Sequence, residues 1–173
     1  MRRIKLYIAT SLDGYIARPD GGIDWLATEG DFGYAPFYDS IDTVVMGRRT
    51  YETALSFGAY PYPDKTGYVF SRTRAGTIDE NVTFLAEEID QFAYNLRLRP
   101  GRDIWLVGGG DLASAFFEKN LIDELDLFVH PILLGGGVPL YLPRAGDLRL
   151  RLLRARTWDS GVVELHYQRA DLD

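Results

Sequence analysis

One pattern in this 173-residue sequence narrows the choice of fold more than any other: an apolar strand run, a glycine turn and a helix start, in that order, twice. Thr43-Val44-Val45-Met46 reads as a buried strand, Gly47 follows, and Arg48-Arg49-Thr50-Tyr51-Glu52 opens a helix. The order recurs at Ile104 to Val107, Gly108-Gly109-Gly110, and Asp111 opening Leu112 to Lys119, with Leu112, Ala115, Phe116 and Phe117 at helical spacing. Units of this kind build parallel sheets, because a crossover helix returns the chain to the end of the sheet from which the next strand starts. Further strands are expected at Ile4 to Ala9, Gly67 to Ser71, Val82 to Leu85 and Leu125 to His130, and a helix near Glu87 to Leu98, stopped by Pro100-Gly101. Leu148 to Trp158 and Val162 to Arg169, joined by Asp159-Ser160-Gly161, read as a C-terminal antiparallel hairpin. The expected class is α/β, with a mainly parallel central sheet, flanking helices and an antiparallel C-terminal strand.

The length suits one domain spanning residues 1–173, since two would each be poorly buried. With 46% hydrophobic and 25% charged residues, the chain is too apolar for a disordered one. A formal net charge of −6 argues against binding a nucleic-acid backbone, which needs a basic footprint. The longest stretch without Lys, Arg, Asp or Glu lies between Asp126 and Arg144, but it carries Pro131, Gly135, Gly136, Gly137, Pro139 and Pro143 and is not a membrane span. No secretion signal is evident at the N-terminus, and the absence of cysteine excludes disulfides and thiolate metal sites; the cytoplasm is the expected location. His130 and His166 lack any metal-ligand spacing and are assigned structural roles, so no metal is expected.

In an open α/β sheet, ligands settle outside the C-terminal strand ends, where helix N-termini present unpaired N–H groups. Both glycine turns belong there. Taken alone, a triple glycine is more often a tight strand-to-helix turn than a phosphate cradle. Arg48 and Arg49 at a helix start oppose the macrodipole by about 0.3–1 kcal/mol each, a cost a bound phosphate would offset; the alternative is solvated surface arginines. Arg72 and Arg74 form a second basic patch after Val69-Phe70-Ser71. The long segment from Arg18 to Gly33, containing Trp25, reads as a loop covering a site.

Several segments together carry a resemblance: Thr10-Ser11-Leu12-Asp13-Gly14-Tyr15-Ile16-Ala17, Asp24-Trp25, Val45-Met46-Gly47-Arg48-Arg49-Thr50-Tyr51-Glu52, Val107-Gly108-Gly109-Gly110 and Pro131-Ile132-Leu133-Leu134-Gly135-Gly136-Gly137. In this order they resemble the dihydrofolate reductase superfamily, and more closely the reductase domain of the bifunctional riboflavin-biosynthesis deaminase-reductase and its stand-alone relatives. The resemblance implies an eight-stranded sheet with NADPH lying across the strand ends. By it, Gly47, Arg48, Arg49 and Thr50 meet the adenosine-phosphate and pyrophosphate portions. Ser71 and Arg72 hold the 2′-phosphate and adenine; Gly108, Gly109, Gly110, Asp111 and Leu112 lie below the pyrophosphate; Ala9 and Ile16 wall the nicotinamide.

The same resemblance places a substrate-holding carboxylate after the loop tryptophan, at Asp31, with Glu29 and Asp13 as rivals and a solvated loop carboxylate as the alternative. Trp25 is either a stacking surface for a flat substrate or a cap on the core. Phe32-Gly33-Tyr34-Ala35-Pro36 is expected to make a poor continuous helix, which disfavours a folate pocket. The reading is an NADPH-dependent reductase of a small heterocyclic or carbonyl substrate, including the 5-amino-6-(5-phosphoribosylamino)uracil type. Dihydrofolate reduction and a catalytically inactive nucleotide-binding sensor are the alternatives. The apolar stretch from Phe128 to Leu134 is the expected homodimer surface, dimers being common among the riboflavin-type relatives.

Overall fold

The computed structural model describes residues 1–172. In chain order the elements are β1 (Ile4–Ser11), β2 (Tyr15–Ala17), α1 (Tyr34–Ser40), β3 (Ile41–Gly47), α2 (Arg48–Ser56), β4 (Thr66–Phe70), β5 (Val82–Leu85), α3 (Ile89–Leu98), β6 (Asp103–Gly108), α4 (Gly110–Glu118), β7 (Glu124–His130), β8 (Val138–Pro139), β9 (Leu150–Thr157) and β10 (Val163–Arg169). Eight strands form one sheet in the order β5-β4-β3-β6-β1-β7-β10-β9. The first six run parallel, and β10 and β9 are antiparallel, as the patterning predicts. β2 and β8 pair separately as a short flap.

Alternation along the strands feeds two cores. Val45, Ile104, Leu106, Leu6 and Leu125 meet Phe92 and Leu96 of α3 and Leu112 and Phe116 of α4. On the opposite face, Val44, Met46, Val69, Phe84 and Trp105 pack with Phe37 of α1 and Tyr51 of α2. Both faces of β3 are therefore covered, and a central parallel strand accordingly reads as a continuous apolar run.

The seam between β1 and β6 sets up the site. Their ladder extends only from Ile4↔Ile104 to Leu6↔Leu106, whereas β1 stays paired with β7 as far as Ser11↔His130. Past Leu6 the sheet parts. The carbonyl of Tyr7 accepts a hydrogen bond from Trp105 Nε1 at 3.3 Å, a side-chain contact that spans the widening gap.

One expectation is corrected. Residues 34–40 do form a helix: Gly33 caps it at φ 72°, and Pro36 falls in the first turn, where N–H groups have no intrahelical acceptor to lose. The argument against a folate pocket from a broken helix therefore fails. In the stretch expected to carry a dimer surface, Phe128 is buried in β7 between β1 and β10, while Pro131 and Leu133 beyond the strand are exposed, Leu133 at 68%.

A cluster of ion pairs links β1, β6, β7, β10 and β9. Lys5 Nζ lies 2.8 Å from Asp103 and 3.6 Å from Glu124, Arg3 also bonds Glu124, and Arg154 bonds the buried Glu164. His166 stands 3.7 Å from Glu124 and 3.3 Å from Asp126, ion-pair contacts rather than full hydrogen bonds at Nε2. Glu124 first, and Asp126 after it, raise the His166 pKa against the opposing effect of burial. Glu124 is held down to about 2 by His166 foremost, with Lys5 and Arg3 adding and burial opposing.

A raised histidine pKa stabilises the fold fully below 6.5, and that contribution fades as pH rises through the raised value. The depressed Glu124 stabilises above 4.5 and is lost as pH falls towards about 2. The expected outcome is that His166→Gln flattens the decline in melting temperature across roughly pH 6 to 8. Parallel thermal scans of the two proteins check this; unchanged slopes remove His166 from the account.

Candidate active site

The two glycine turns converge. Met46 of β3 is in register with Gly108 of β6, and a Cβ built on Gly47 would lie 3.9 Å from both the Gly108 carbonyl and the Gly109 nitrogen. A Cβ on Gly109 would approach Thr50 Oγ1 to 3.1 Å, so the first turn of α2 touches the turn before α4. Gly108 has φ 130°, backbone that favours glycine, and the Gly108–Gly109 peptide is cis. Neither α2 nor α4 has a side-chain cap at its N-terminus. Their first N–H groups are left for solvent or an anion at one shared position. Such a cradle fits a pyrophosphate.

Around it the predicted residues divide. Ile8 and Ala9 are half-buried on the parted half of β1, and a Cβ on Gly108 would lie 3.9 Å from Ile8 Cδ1. Ile16 reaches the α4 start, its Cδ1 3.7 Å from the Cβ position of Gly110. Gly110 itself is pressed against the flap: its Cβ would stand 2.5 Å from the Pro139 carbonyl oxygen. That close approach is a packing reason for glycine there, separate from any ligand. The Leu112 side chain belongs to the core, and exposed Asp111 flanks a cavity of about 660 Å³ on the far side of α4, shared with Phe117, Tyr141 and Leu148. These two residues can offer the cleft little beyond their backbone.

The arginines sort by partner. Arg48 turns along its helix to Glu52, at 2.7 and 3.0 Å, and Arg74 lies over the Phe84 ring at 3.7 Å from its centroid while facing Asp79. Arg49 and Arg72 are exposed and make no side-chain bond among the described residues. They follow the adjacent strand ends Gly47 and Phe70, which are in register. Ser71 is buried and organises this turn: its hydroxyl accepts from the Arg74 N–H at 3.2 Å, and its own N–H donates to Leu85.

On the other side of the seam, the loop from Arg18 to Gly33 lies over the ends of β1 and β7. Trp25 meets His130 edge-on at 5.3 Å between ring centroids, and Phe32 meets Trp158 at 5.0 Å and Phe128 at 6.0 Å. His130, assigned a structural role from sequence, is thus part of this wall, although its Nδ1 is engaged with the Phe128 carbonyl at 3.1 Å. Trp25 and Trp158 each bury an indole N–H with no acceptor. Asp31 is exposed and unbonded through its side chain among the described residues; Glu29 is exposed too.

The third carboxylate is committed elsewhere. Asp13 accepts from Ser11 Oγ at 2.6 Å, Gly135 N at 2.7 Å and Leu134 N at 3.1 Å, pinning the β1–β2 turn to the glycine run before β8. The Ser11 bond above all, with the Gly135 and Leu134 backbone bonds adding, lowers its pKa against the opposing effect of desolvation, which makes it a poor proton donor.

Sequence reasoning passed over Tyr7. Its ring stacks on Phe37 at 4.4 Å and tilts against Phe128 at 4.5 Å, and its hydroxyl donates to the Phe32 carbonyl at 2.9 Å, anchoring the loop beside Asp31. Burial, then the carboxylates Asp126, Asp31 and Glu164, raise its pKa. As a half-buried strand tyrosine it has no sequence signal of its own; only the parting of β1 from β6 gives it a site to border. No group of His, Asp and Glu side chains suited to a metal occurs among the described residues, and no helix there is long and apolar enough to cross a membrane.

Comparison with known proteins follows the same outline. Residues 2–164 match the RibD C-terminal domain family. The uncharacterized protein YwjB of Bacillus subtilis (strain 168) is 43% identical over 173 residues, covering 98% of this chain and 99% of its own. The riboflavin biosynthesis protein RibD of Corynebacterium ammoniagenes is 28% identical over 78% of this chain, which spans 44% of that protein. A solved structure from Shewanella sp. PV-4, provisionally named a riboflavin biosynthesis protein, superimposes with a TM-score of 0.87 at 30% identity, covering 96% of this chain and 98% of that one.

The flap contact is testable. Gly110→Ala drives a methyl group into the Pro139 carbonyl and is expected to destabilise the protein by about 1–3 kcal/mol. Urea unfolding measures it, and a change within error would mean the flap yields freely.

Proposed function

Because this chain belongs to the RibD C-terminal domain family, we propose that it is an NADPH-dependent reductase of a small heterocyclic or carbonyl substrate. The observation carrying the proposal is the seam: two uncapped helix starts meet beside a parted strand, with an aromatic wall across the gap. Bound there, NADPH would supply a hydride to an electrophilic carbon of the substrate. The first N–H groups of α2 and α4 hold the pyrophosphate. Arg49 and Arg72 take the 2′-phosphate, Ala9 and Ile16 flank the nicotinamide, and the loop bearing Trp25 and Phe32 keeps water from the reacting carbon. Asp31 orients the substrate or delivers the proton that the receiving atom requires.

The substrate panel comprises pyrimidines, pterins and flavin-related compounds, including 5-amino-6-(5-phosphoribosylamino)uracil. Dihydrofolate belongs in it, since α1 forms next to Asp31. Tight binding of NADPH with no turnover across the panel would leave a nucleotide-binding sensor. A cytoplasmic location is part of the proposal, on the cysteine-free sequence, and so is a homodimer, on the likeness to riboflavin-type reductases. Sedimentation of the purified protein as a monomer would remove the dimer.

NADPH at a hundred times its Kd is expected to stabilise the fold by about 2.7 kcal/mol. Absence of any thermal shift defeats the cofactor assignment. Loss of one charge-assisted bond weakens binding by roughly 10–150-fold. Arg72→Ala is therefore expected to reduce NADPH affinity by about that factor and leave NADH nearly unchanged; equal losses would move the 2′-phosphate away from Arg72. Asp31→Asn is expected to lower kcat by about 100-fold or more in steady-state assays with the turned-over substrate, if its carboxyl delivers the proton.

A further inference from the structure

The cleft is electrically divided. Its β3–β4 side presents Arg48, Arg49, Arg72 and Arg74. Its β1–β7 side is covered by the loop from Arg18 to Gly33, which carries four exposed carboxylates, Asp20, Asp24, Glu29 and Asp31, against the single guanidinium of Arg18. That guanidinium is bound by both oxygens of Asp24, at 2.6 and 2.9 Å. Behind the aromatic wall the carboxylates are paired: His166 stands 3.3 Å from Asp126, and Arg154 bonds Glu164. Asp126 and Glu164 are buried on neighbouring strands, Glu164 pairs in register with Phe128, and both raise the Tyr7 phenol together with Asp31.

From this we infer that the substrate is a flat heterocycle without a phosphoryl group, neutral or cationic at neutral pH, lying against Trp25, Phe32 and Trp158. The inference rests on the reductase reading above and narrows it, setting this chain apart from reductases of phosphoribosyl compounds. A phosphate on the substrate would sit beside these exposed carboxylates, whose repulsion reaches about a Debye length and weakens with salt. A ring with amino or protonated ring groups suits the exposed carboxylates Asp31 and Glu29. The one guanidinium near this wall without a carboxylate partner in the described residues is Arg156, which lies over the Trp158 ring at 3.9 Å from its centroid. It is the residue through which the inference is most exposed to failure.

The test uses matched pairs with the NADPH-saturated protein: riboflavin against its 5′-phosphate, and the 5-amino-6-ribosylaminouracil nucleoside against its 5′-phosphate. Binding is read by quenching of tryptophan fluorescence, with NADPH thermal shifts recorded on the same samples. The unphosphorylated member of at least one pair is expected to bind about tenfold or more tightly than its ester. Added salt is expected to shrink that ratio, and Glu29→Lys to shrink it further. Preference for the phosphate esters, above all one abolished by Arg156→Ala, overturns the inference, as does failure of both unphosphorylated compounds to bind. If NADPH gives no shift, the reductase reading has failed instead, and the two failures are distinguishable.

Discussion

A three-rung ladder between β1 and β6 governs this molecule. Strands 1 and 6 are held together only at Ile4, Lys5 and Leu6, and the candidate site lies beyond the point where they separate. Had the ladder continued, Ala9 would be an interior sheet residue, the Tyr7 carbonyl would be a ladder acceptor, and Gly108 would have a strand beside it in place of a gap. The separation needs support on both flanks. β7 keeps β1 straight to Ser11, and β3 keeps β6 paired as far as Gly108, so each edge of the opening remains a rigid strand. Ligand-binding groups mounted on such edges are better fixed than groups on loops alone.

Division of labour follows from this geometry. The half-sheet with β3 and β4 ends in helix starts and free guanidiniums, chemistry suited to phosphates. The half-sheet with β1 and β7 ends in aromatic rings and carboxylates, chemistry suited to a flat polar ring. Hydride transfer between two molecules needs this: one partner gripped by its charged tail, the other by its faces, with reactive carbons meeting over the seam.

The parallel character of the sheet and the glycine turns were legible because both depend on local signals: β-branched apolar runs and residues without a Cβ. The eight-stranded sheet came from the family resemblance. The helix at 34–40 was misread because Gly33 and Pro36 are helix breakers in an interior and acceptable at an end, and a sequence window does not say which. An apolar strand such as β7 has the same composition whether its flank is a neighbouring strand or a second subunit, so the burial of Phe128 inside the sheet had no signal of its own. Asp13, Asp31 and Glu29 were indistinguishable as loop carboxylates. Hydrogen bonds to residues 134 and 135, over a hundred positions away, single out Asp13 as a clamp. Tyr7 and His130 gained their places through contacts that no spacing rule encodes.

The outer strand β9 has a consequence for the protein in a tube or a crowded cell. All eight of its residues are exposed, its free edge is an open template, and Leu150, Leu152 and Leu153 would favour fibrous stacking. Arg151, Arg154 and Arg156 are spaced among those leucines, and the register slip between His166 and Tyr167 kinks the ribbon. Charge and kink together act as gatekeepers. Neutralising those arginines would shorten the shelf life of concentrated stocks well before it altered the fold.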